Sequence, residues 1–346
     1  MLESPVLRAS RHDGAILGEA FGWNMPRTYT TREAEYEVAT QGFAIADRSY
    51  VGRLRINGDE AIDLVDRLST NRLSDLEEGS VMGTVLTNNK GRIIDVLLLL
   101  RKSDHLMAFT GAETRQRVAD WIDFYTFAED VTVVDETETT AMLSLLGPQA
   151  GPAVKGLSDL KLHQSTEIEI GGVQATAVRT DFSGVPGYDM VVPAASGDDV
   201  WTALVDMGAE PVGTDALDLV RIENGGLAVG AELSEDYNPL EAGLKNFISF
   251  NKGCYIGQEV VARLDTYDKV QKHLVLLSWD SGEAVSAGAT LYSEGKKVGT
   301  ITSAAQGISG IGEGLGYLRN ALAEEGTVIT TEGDVSVRVG EAVRHS

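Results

Sequence analysis

The segment NKGCYIGQEVVAR, residues 251–263, contains the only cysteine of this 346-residue chain. Cys254 closely follows Lys252, and the residues from Gly257 onward are typical of the start of a helix. A thiol beside a lysine and near a helix N-terminus is expected to be nucleophilic. A lone cysteine is also commonly a small buried hydrophobic residue. The segment alone leaves both a reactive and a structural Cys254 open.

The segment directly upstream, NPLEAGLKNFISF (residues 238–250), is rich in charged and aromatic residues. In an acidic protein, the basic side chains around these segments could form a local positive patch for an anionic small molecule. These side chains are Arg221, Lys245, Lys252 and Arg263. The alternative is ordinary salt bridging with the surrounding acids.

A second candidate lies in GRIIDVLLLL, residues 91–100, which predicts a strand buried on both faces. Within this run, Asp95 shares one face with Ile93 and Leu97. A carboxylate inside such a strand is costly unless it is paired, hydrogen-bonded or neutral. A carboxyl group in that setting suits a general acid or base. The alternative is an aspartate at the strand end that reaches solvent or a backbone N–H.

The rest of the pattern predicts an α+β protein of two parts. Amphipathic helices are predicted for residues 58–70, 114–127, 198–208 and 215–226, and a strand for residues 131–136. After about residue 271 the sequence changes to short strands separated by glycine-bearing turns. We therefore expect a body over residues 1–271, of two interleaved subdomains, and a small all-β domain over residues 272–346.

The charge balance excludes broad classes of partner. The chain has 52 acidic and 29 basic residues and a formal net charge of −23. Such a field repels phosphate backbones, so no nucleic-acid partner is expected. A solvated acidic surface of this kind suits a salt-rich cytoplasm, as in halophile-like proteins.

Other features predict a cytoplasmic protein without a membrane partner. The longest apolar stretch, residues 96–100, is far shorter than the roughly 20 residues that span a bilayer. The opening residues MLESPVLRASRHDGA lack the order of a signal peptide, and one cysteine allows no internal disulfide.

Several standard sites are not predicted. The five histidines lack metal-ligand spacing, so no metal site is expected. The glycine cluster GISGIGEGLG, residues 307–316, does not fit G-x-G-x-x-G and predicts turns.

KGCYIGQE, residues 252–259, resembles the signature of the YgfZ-type folate-binding proteins, which are relatives of the aminomethyltransferase (T-protein) of the glycine cleavage system. Further segments resemble T-protein segments, so that the similarity extends over nearly the whole chain. They are FGWNMPRTY, GFAIADRSYVGRLRINGDEAIDLVDRLSTN, GRIIDVLLLL, PLEAGL and GTITSAAQGISGIGEGLGYL.

The resemblance implies a T-protein-like body around a central channel that binds tetrahydrofolate, with a small β-barrel as its last part. It implies that Asp95 lies near the folate nitrogens and assists one-carbon transfer. It places Asp189 where T-proteins have a glutamate that holds the pterin. Tyr188, Arg221 and Glu241, which lie in or beside matching segments, complete the expected cofactor-binding set.

The chain combines features of both branches. Leu217 stands where T-proteins have a folate-contacting arginine, and KGCYIG replaces their lysine-aspartate-phenylalanine-isoleucine-glycine run. Both differences count against glycine cleavage activity. Asp95, in contrast, is an acid that YgfZ-type proteins often lack.

Three hypotheses follow, and all take tetrahydrofolate as the cofactor. The first is a YgfZ-type protein that handles folate-linked one-carbon units and supports iron–sulfur enzymes, with Cys254 as a functional thiol activated by Lys252. The second is a folate-dependent aminomethyl- or methyltransferase, in which Asp95 orients the folate and a lipoyl carrier protein is the partner. The third is a folate sensor or scaffold without turnover.

Overall fold

The computed structural model describes residues 1–280 and 282–345. The chain forms two compact units, each assembled from separate stretches of sequence. Unit 1 comprises Met1–Leu64, Leu73–Met82 and Leu97–Val220. Unit 2 comprises Val65–Arg72, Gly83–Val96 and Arg221–Ser346.

The helices predicted from the sequence pattern are present, and further helices occur besides them. In chain order they are α1 Leu7–His12, α2 Arg32–Gln41, α3 Ala61–Leu68, α4 Arg115–Phe124, α5 Ala150–Ala153, α6 Gly197–Asp206, α7 Thr214–Glu223 and α8 Gln258–Thr266. Among the described residues, no helix combines the length and the apolar character needed to cross a bilayer.

The strands belong to four sheets. In chain order they are β1 Leu2–Glu3, β2 Ile16–Ala20, β3 Trp23–Thr28, β4 Ala44–Asp47, β5 Gly52–Asn57, β6 Val81–Thr87, β7 Ile93–Arg101, β8 His105–Thr110, β9 Thr132–Asp135, β10 Thr140–Leu146, β11 Ser165–Ile170, β12 Val173–Arg179, β13 Gly187–Pro193, β14 Glu210–Val212, β15 Lys272–Asp280, β16 Thr290–Ser293, β17 Lys296–Gln306, β18 Ile311–Arg319, β19 Val328–Thr331 and β20 Ser336–Ala342.

Unit 1 is built on a six-stranded sheet of order β11-β12-β13-β10-β4-β14. Strand β10 pairs antiparallel with β4 and β13, so that Leu145 lies opposite both Ile45 and Tyr188. Helix α6 packs on this sheet because Trp201 and Leu204 project from one side of it and are completely buried. A three-stranded sheet of order β1-β3-β2 precedes it in the chain.

A five-stranded sheet has the order β6-β7-β8-β5-β9. Strand β7 is the predicted strand GRIIDVLLLL, and its residues Ile93, Asp95, Leu97 and Leu99 are all 0 % exposed. On the other face Ile94 is 2 % exposed, but Val96 and Leu98 are only partly buried, so the predicted burial on both faces is confirmed for one face and only in part for the other.

The last six strands of unit 2 close into a barrel of order β15-β18-β17-β16-β19-β20. The predicted α+β class with a C-terminal β-barrel is therefore confirmed. The cluster GISGIGEGLG was expected to be turns, but its second half forms β18. Gly314 lies beside Trp279 of β15, because a Cβ there would come 2.9 Å from the indole. A Cβ at Gly312 would overlap the same indole, so these glycines make room for a buried tryptophan.

Unit 2 contains residues on both sides of the predicted boundary between residues 271 and 272. One hydrophobic cluster of unit 2 contains Val85 and Ile93 from the β6–β7 region, Ile222 from α7, and Leu274 and Leu315 from the barrel. The barrel therefore shares its core with distant stretches of sequence. This shared core explains why the barrel and these distant stretches form one compact unit.

Candidate functional site

Asp95 belongs to unit 2 and is completely buried. Its side chain is 0 % exposed, and its Oδ1 accepts the N–H of Val96 at 2.7 Å. Ile93, two positions earlier on β7, donates its N–H to the carbonyl of Tyr237 at 3.0 Å. The alternative of an aspartate that reaches solvent is excluded, whereas the contact with a backbone N–H is present.

Two stacked tyrosines lie in the same hydrophobic cluster as Ile93. The rings of Tyr237 and Tyr317 are 3.4 Å apart between centroids and inclined by 13°. Burial, followed by the charges of neighbouring acids, raises the pKa of Tyr237 to about 12, and burial also raises the pKa of Tyr317. Both phenols are therefore neutral hydrogen-bond donors at neutral pH. Sequence reasoning missed them, although Tyr237 directly precedes the quoted segment NPLEAGL.

Arg221 forms an ion pair inside unit 2. Its Nη1 lies 3.0 Å from Glu232 Oε2, and Glu232 is 0 % exposed. Arg221 Nη2 also donates to Ser303 Oγ of the barrel at 3.0 Å, and Glu232 Oε1 accepts from Ser303 at 2.7 Å. This network joins the end of α7 to β17, so any ligand of Arg221 must share the guanidinium with Glu232. The predicted folate contact of Arg221 stays a prediction.

Glu241 organises the turn that carries PLEAGL. Its Oε2 accepts from Arg92 Nη1 at 3.3 Å and from the N–H of Asn238 at 3.1 Å. The side chain of Asn238 accepts the N–H groups of Leu240 and Glu241 in return, both at 3.0 Å. Burial raises the pKa of Glu241. The observed contacts are structural, and the predicted cofactor contact is untested.

The buried ammonium group of Lys252 holds the segment 66–71 in place. Its side chain is 1 % exposed, and its Nζ lies 3.1 Å from Asp66 Oδ2. The ammonium also donates to the carbonyls of Asp66, Ser69 and Asn71 at 2.5, 2.9 and 2.6 Å. Burial lowers the pKa of Lys252, and the charge of Asp66 opposes this effect. The predicted activation of Cys254 by Lys252 stays a prediction, because the hydrogen bonds of the ammonium described above are to the segment 66–71.

Three of the four basic side chains of the predicted positive patch pair with acids. Arg221 pairs with Glu232 and Lys252 pairs with Asp66, as described above. Lys245 Nζ lies 2.7 Å from an oxygen of Asp265. The alternative, salt bridging with the surrounding acids, describes these three side chains.

Cys254 is exposed, so it is not the small buried hydrophobic residue of the structural alternative. The loop that carries it is held at both ends. Lys252 anchors its start, and Thr87 Oγ1 donates to the carbonyl of Ile256 at 2.5 Å near its end. Gly257 has φ 85° and is the N-cap of α8, and a Cβ there would come 2.6 Å from the carbonyl oxygen of Asn88.

Asp189 and Tyr188 lie in unit 1, on opposite faces of β13. Asp189 is 2 % exposed, and its carboxylate accepts from Arg48 Nη1 and Thr180 Oγ1, both at 2.8 Å, and from Ser144 Oγ. Tyr188 belongs to the hydrophobic core cluster on the other face. Because neighbouring strand residues point to opposite faces, the two predicted cofactor residues cannot line one surface of the sheet.

No group of three or more potential metal ligands occurs in the part of the chain that the structure describes. Two surface cavities have volumes of about 150 and 400 Å³. None of the seven predicted site residues lines either of them. The groups of unit 2 that could act on a substrate are the buried carboxylate of Asp95, the neutral phenols of Tyr237 and Tyr317, and the exposed thiol of Cys254.

Comparison with known proteins gives matches over most of the chain. Residues 6–252 match the family model described as GCVT N-terminal domain. A chloroplastic protein of Arabidopsis thaliana that is named a transferase is 33% identical over 309 residues, which cover 87% of this chain and 71% of that protein. An aminomethyltransferase of Thermotoga maritima is 29% identical over 313 residues, which cover 88% of this chain and 85% of that protein.

One solved structure has the same fold over nearly its full length. The glycine cleavage system aminomethyltransferase T of Bartonella henselae superposes with a TM-score of 0.89 at 23% identity. The match covers 98% of this chain and 96% of that chain. At this identity the likeness shows the fold alone.

Proposed function

The chain belongs to the GCVT N-terminal domain family, and from this premise we propose that it is a tetrahydrofolate-dependent transferase of the aminomethyltransferase type. The names of its relatives support an aminomethyl group as the unit that is transferred. This assignment favours the second of the three hypotheses over the YgfZ-type function. The proposal extends to the substrate, the cofactor and the role of Asp95.

The observation that carries the proposal is the complete burial of Asp95. A buried carboxylate is costly, and it is retained where it has a partner or a chemical task. A carboxylate oxygen accepts hydrogen bonds, so Asp95 fits the N–H groups of a reduced pterin. Its burial away from water strengthens such a hydrogen bond.

Bound tetrahydrofolate would supply the nitrogen that accepts the one-carbon unit. Asp95 would act as the catalytic residue by fixing the orientation of the pterin and by holding or moving a proton at its carboxylate oxygen. Tyr237 and Tyr317 would exclude water from the hydrophobic cluster that contains Ile93, the neighbour of Asp95 on β7. Lys252 would keep the segment 66–71 in place as a positioning residue.

A single-turnover assay tests this function. Wild-type protein is mixed with tetrahydrofolate and an aminomethyl-loaded lipoyl carrier protein, and methylenetetrahydrofolate is followed. We expect product formation at a rate that Cys254→Ser leaves nearly unchanged, because the thiol has no part in the transfer. Folate binding without any product would contradict the proposal and favour a sensor or scaffold.

The exposed thiol of Cys254 favours a second candidate, the YgfZ-type function in support of iron–sulfur enzymes. In that case the loop would present Cys254 to a partner, and Cys254→Ser would be the damaging change. The activity of iron–sulfur enzymes in cells that carry Cys254→Ser in place of the wild type distinguishes the two. Unchanged activity in those cells would remove this candidate.

A further inference from the structure

Four aromatic residues, two of them exposed and two partly exposed, form a patch in unit 1, at the end of α4 and in the turn that follows. Phe124 is 68% exposed and Phe127 is 84% exposed. Tyr125 lies between them in sequence, with its ring 5.0 Å from Phe124 and 5.2 Å from Trp121 in edge-to-face geometry. We call Trp121, Phe124, Tyr125 and Phe127 the α4 patch.

The turn that presents Phe127 is fixed by hydrogen bonds. The carboxylate of Glu129 accepts the N–H of Phe127 at 2.9 Å and that of Ala128 at 3.1 Å. The N–H of Thr126 donates to the carbonyl of Asp123 at 3.1 Å. These hydrogen bonds fix the backbone so that the side chain of Phe127 stays exposed to water, where its apolar surface is unfavourable. Exposed aromatic clusters of this kind commonly mark a surface for another protein.

The charges around the α4 patch indicate which class of partner it can bind. The stretch DWIDFYTFAED, residues 120–130, carries four acids and no base. Glu60 adds a further acid, because its carboxylate accepts the N–H of Asp130 at 2.7 Å. The nearest base on the helix is Arg117, one turn before Trp121. An anionic membrane or a nucleic acid would be repelled, and a second copy would bring acids against acids.

We propose that the α4 patch binds a partner protein whose contact surface is an apolar cleft with a basic rim. Phe124 and Phe127 fill the cleft, and the acids of residues 120–130 and Glu60 face the partner's lysines and arginines. This inference is independent of the proposed function, because no predicted site residue takes part in it.

The tryptophans of this chain allow a site-specific test. Trp23, Trp201 and Trp279 are at most 5% exposed, whereas Trp121 is partly exposed. Quenching by acrylamide therefore reports mainly on Trp121 in the folded protein. The probe is a 14-residue amphipathic helical peptide of leucine and lysine, and the controls are a leucine–glutamate peptide and a serine–lysine peptide of the same length.

We expect the leucine–lysine peptide to protect Trp121 from quenching and to bind more weakly as salt is added. The double variant Phe124→Ser/Phe127→Ser should weaken that binding at least tenfold, while Met207→Ser, at a 45% exposed site elsewhere in unit 1, should not. Melting curves check that both variants fold. They are expected to fold because the replaced side chains lie at the surface.

Four results would each overturn the inference. Equal binding of the serine–lysine peptide would show that charge alone acts, and equal binding of the leucine–glutamate peptide would show that charge has no part. Binding to phosphatidylglycerol vesicles through Phe124 and Phe127 would make the patch a membrane contact. A dimer in sedimentation that the double variant abolishes would make it a self-interface.

Discussion

Replacing the buried Lys252 by methionine provides the clearest test of whether its ammonium holds the segment 66–71 in place. The substitution keeps an unbranched apolar side chain but removes an ammonium that donates to three backbone carbonyls and pairs with Asp66. A buried polar group that loses its partner costs about 1–3 kcal/mol. Loss of one partner of a buried ion pair costs about 3–5 kcal/mol.

These contributions overlap, because one ammonium makes all of the contacts. The side chain of Asp66 is 23% exposed, so water recovers part of the loss. We therefore expect Lys252→Met to lower the free energy of unfolding by about 3–5 kcal/mol. That is a large part of the roughly 5–15 kcal/mol that stabilises a typical domain.

Urea denaturation at fixed salt measures this loss, and Lys245→Met is the matched control. Lys245 pairs with Asp265 at 2.7 Å, but its side chain is 65% exposed. Exposed pairs of this kind contribute about 0–1 kcal/mol. If Lys252→Met cost no more than Lys245→Met, the inference that the buried ammonium holds the segment would be refuted.

Two further predictions concern the barrel. Burial and the charge of Glu223 raise the pKa of Glu313 from 4.5 to about 7, so the stability that this group contributes is present below pH 4.5 and is lost as pH rises through 7. Glu313→Gln should therefore raise the melting temperature more at pH 8.5 than at pH 5, and a pH-independent difference would contradict the assignment. Gly312→Ala adds a Cβ against the Trp279 indole and should cost about 1–3 kcal/mol in denaturant unfolding. An unchanged midpoint would show that the indole has room to move.

The local pattern of the sequence predicts a structural feature where that feature depends on a single helix or strand. The apolar run around Asp95 predicted the strand but left the burial of the acid open, and the structure shows that the face it shares with Ile93 and Leu97 is completely buried. Alternation along a strand also separates Tyr188 from Asp189. That separation was available from the sequence, but the two residues were grouped by resemblance instead.

Contacts between distant segments had no signal in the sequence. Lys252 binds the carbonyl of Asp66, which is 186 residues away, and any residue type can supply a carbonyl. The glycines of β18 were interpreted as turns because Trp279, the side chain that requires them, lies on another strand. For the same reason, the sequence could not decide between a positive patch and salt bridges for Lys245 and Arg221, since the fold determines which acid lies beside each of them.

The most direct test of the central proposal is the single-turnover rate of Asp95→Asn at saturating tetrahydrofolate, with folate affinity measured in the same sample. Asp159→Asn, at an exposed position, is the matched control for the change of charge. We predict that Asp95→Asn lowers the rate by about 10²–10⁴-fold, as expected for loss of a proton-handling group. Its Kd for folate should change far less, and the control should behave like the wild type. A rate for Asp95→Asn equal to that of the wild type would contradict the assignment of Asp95 as the catalytic residue.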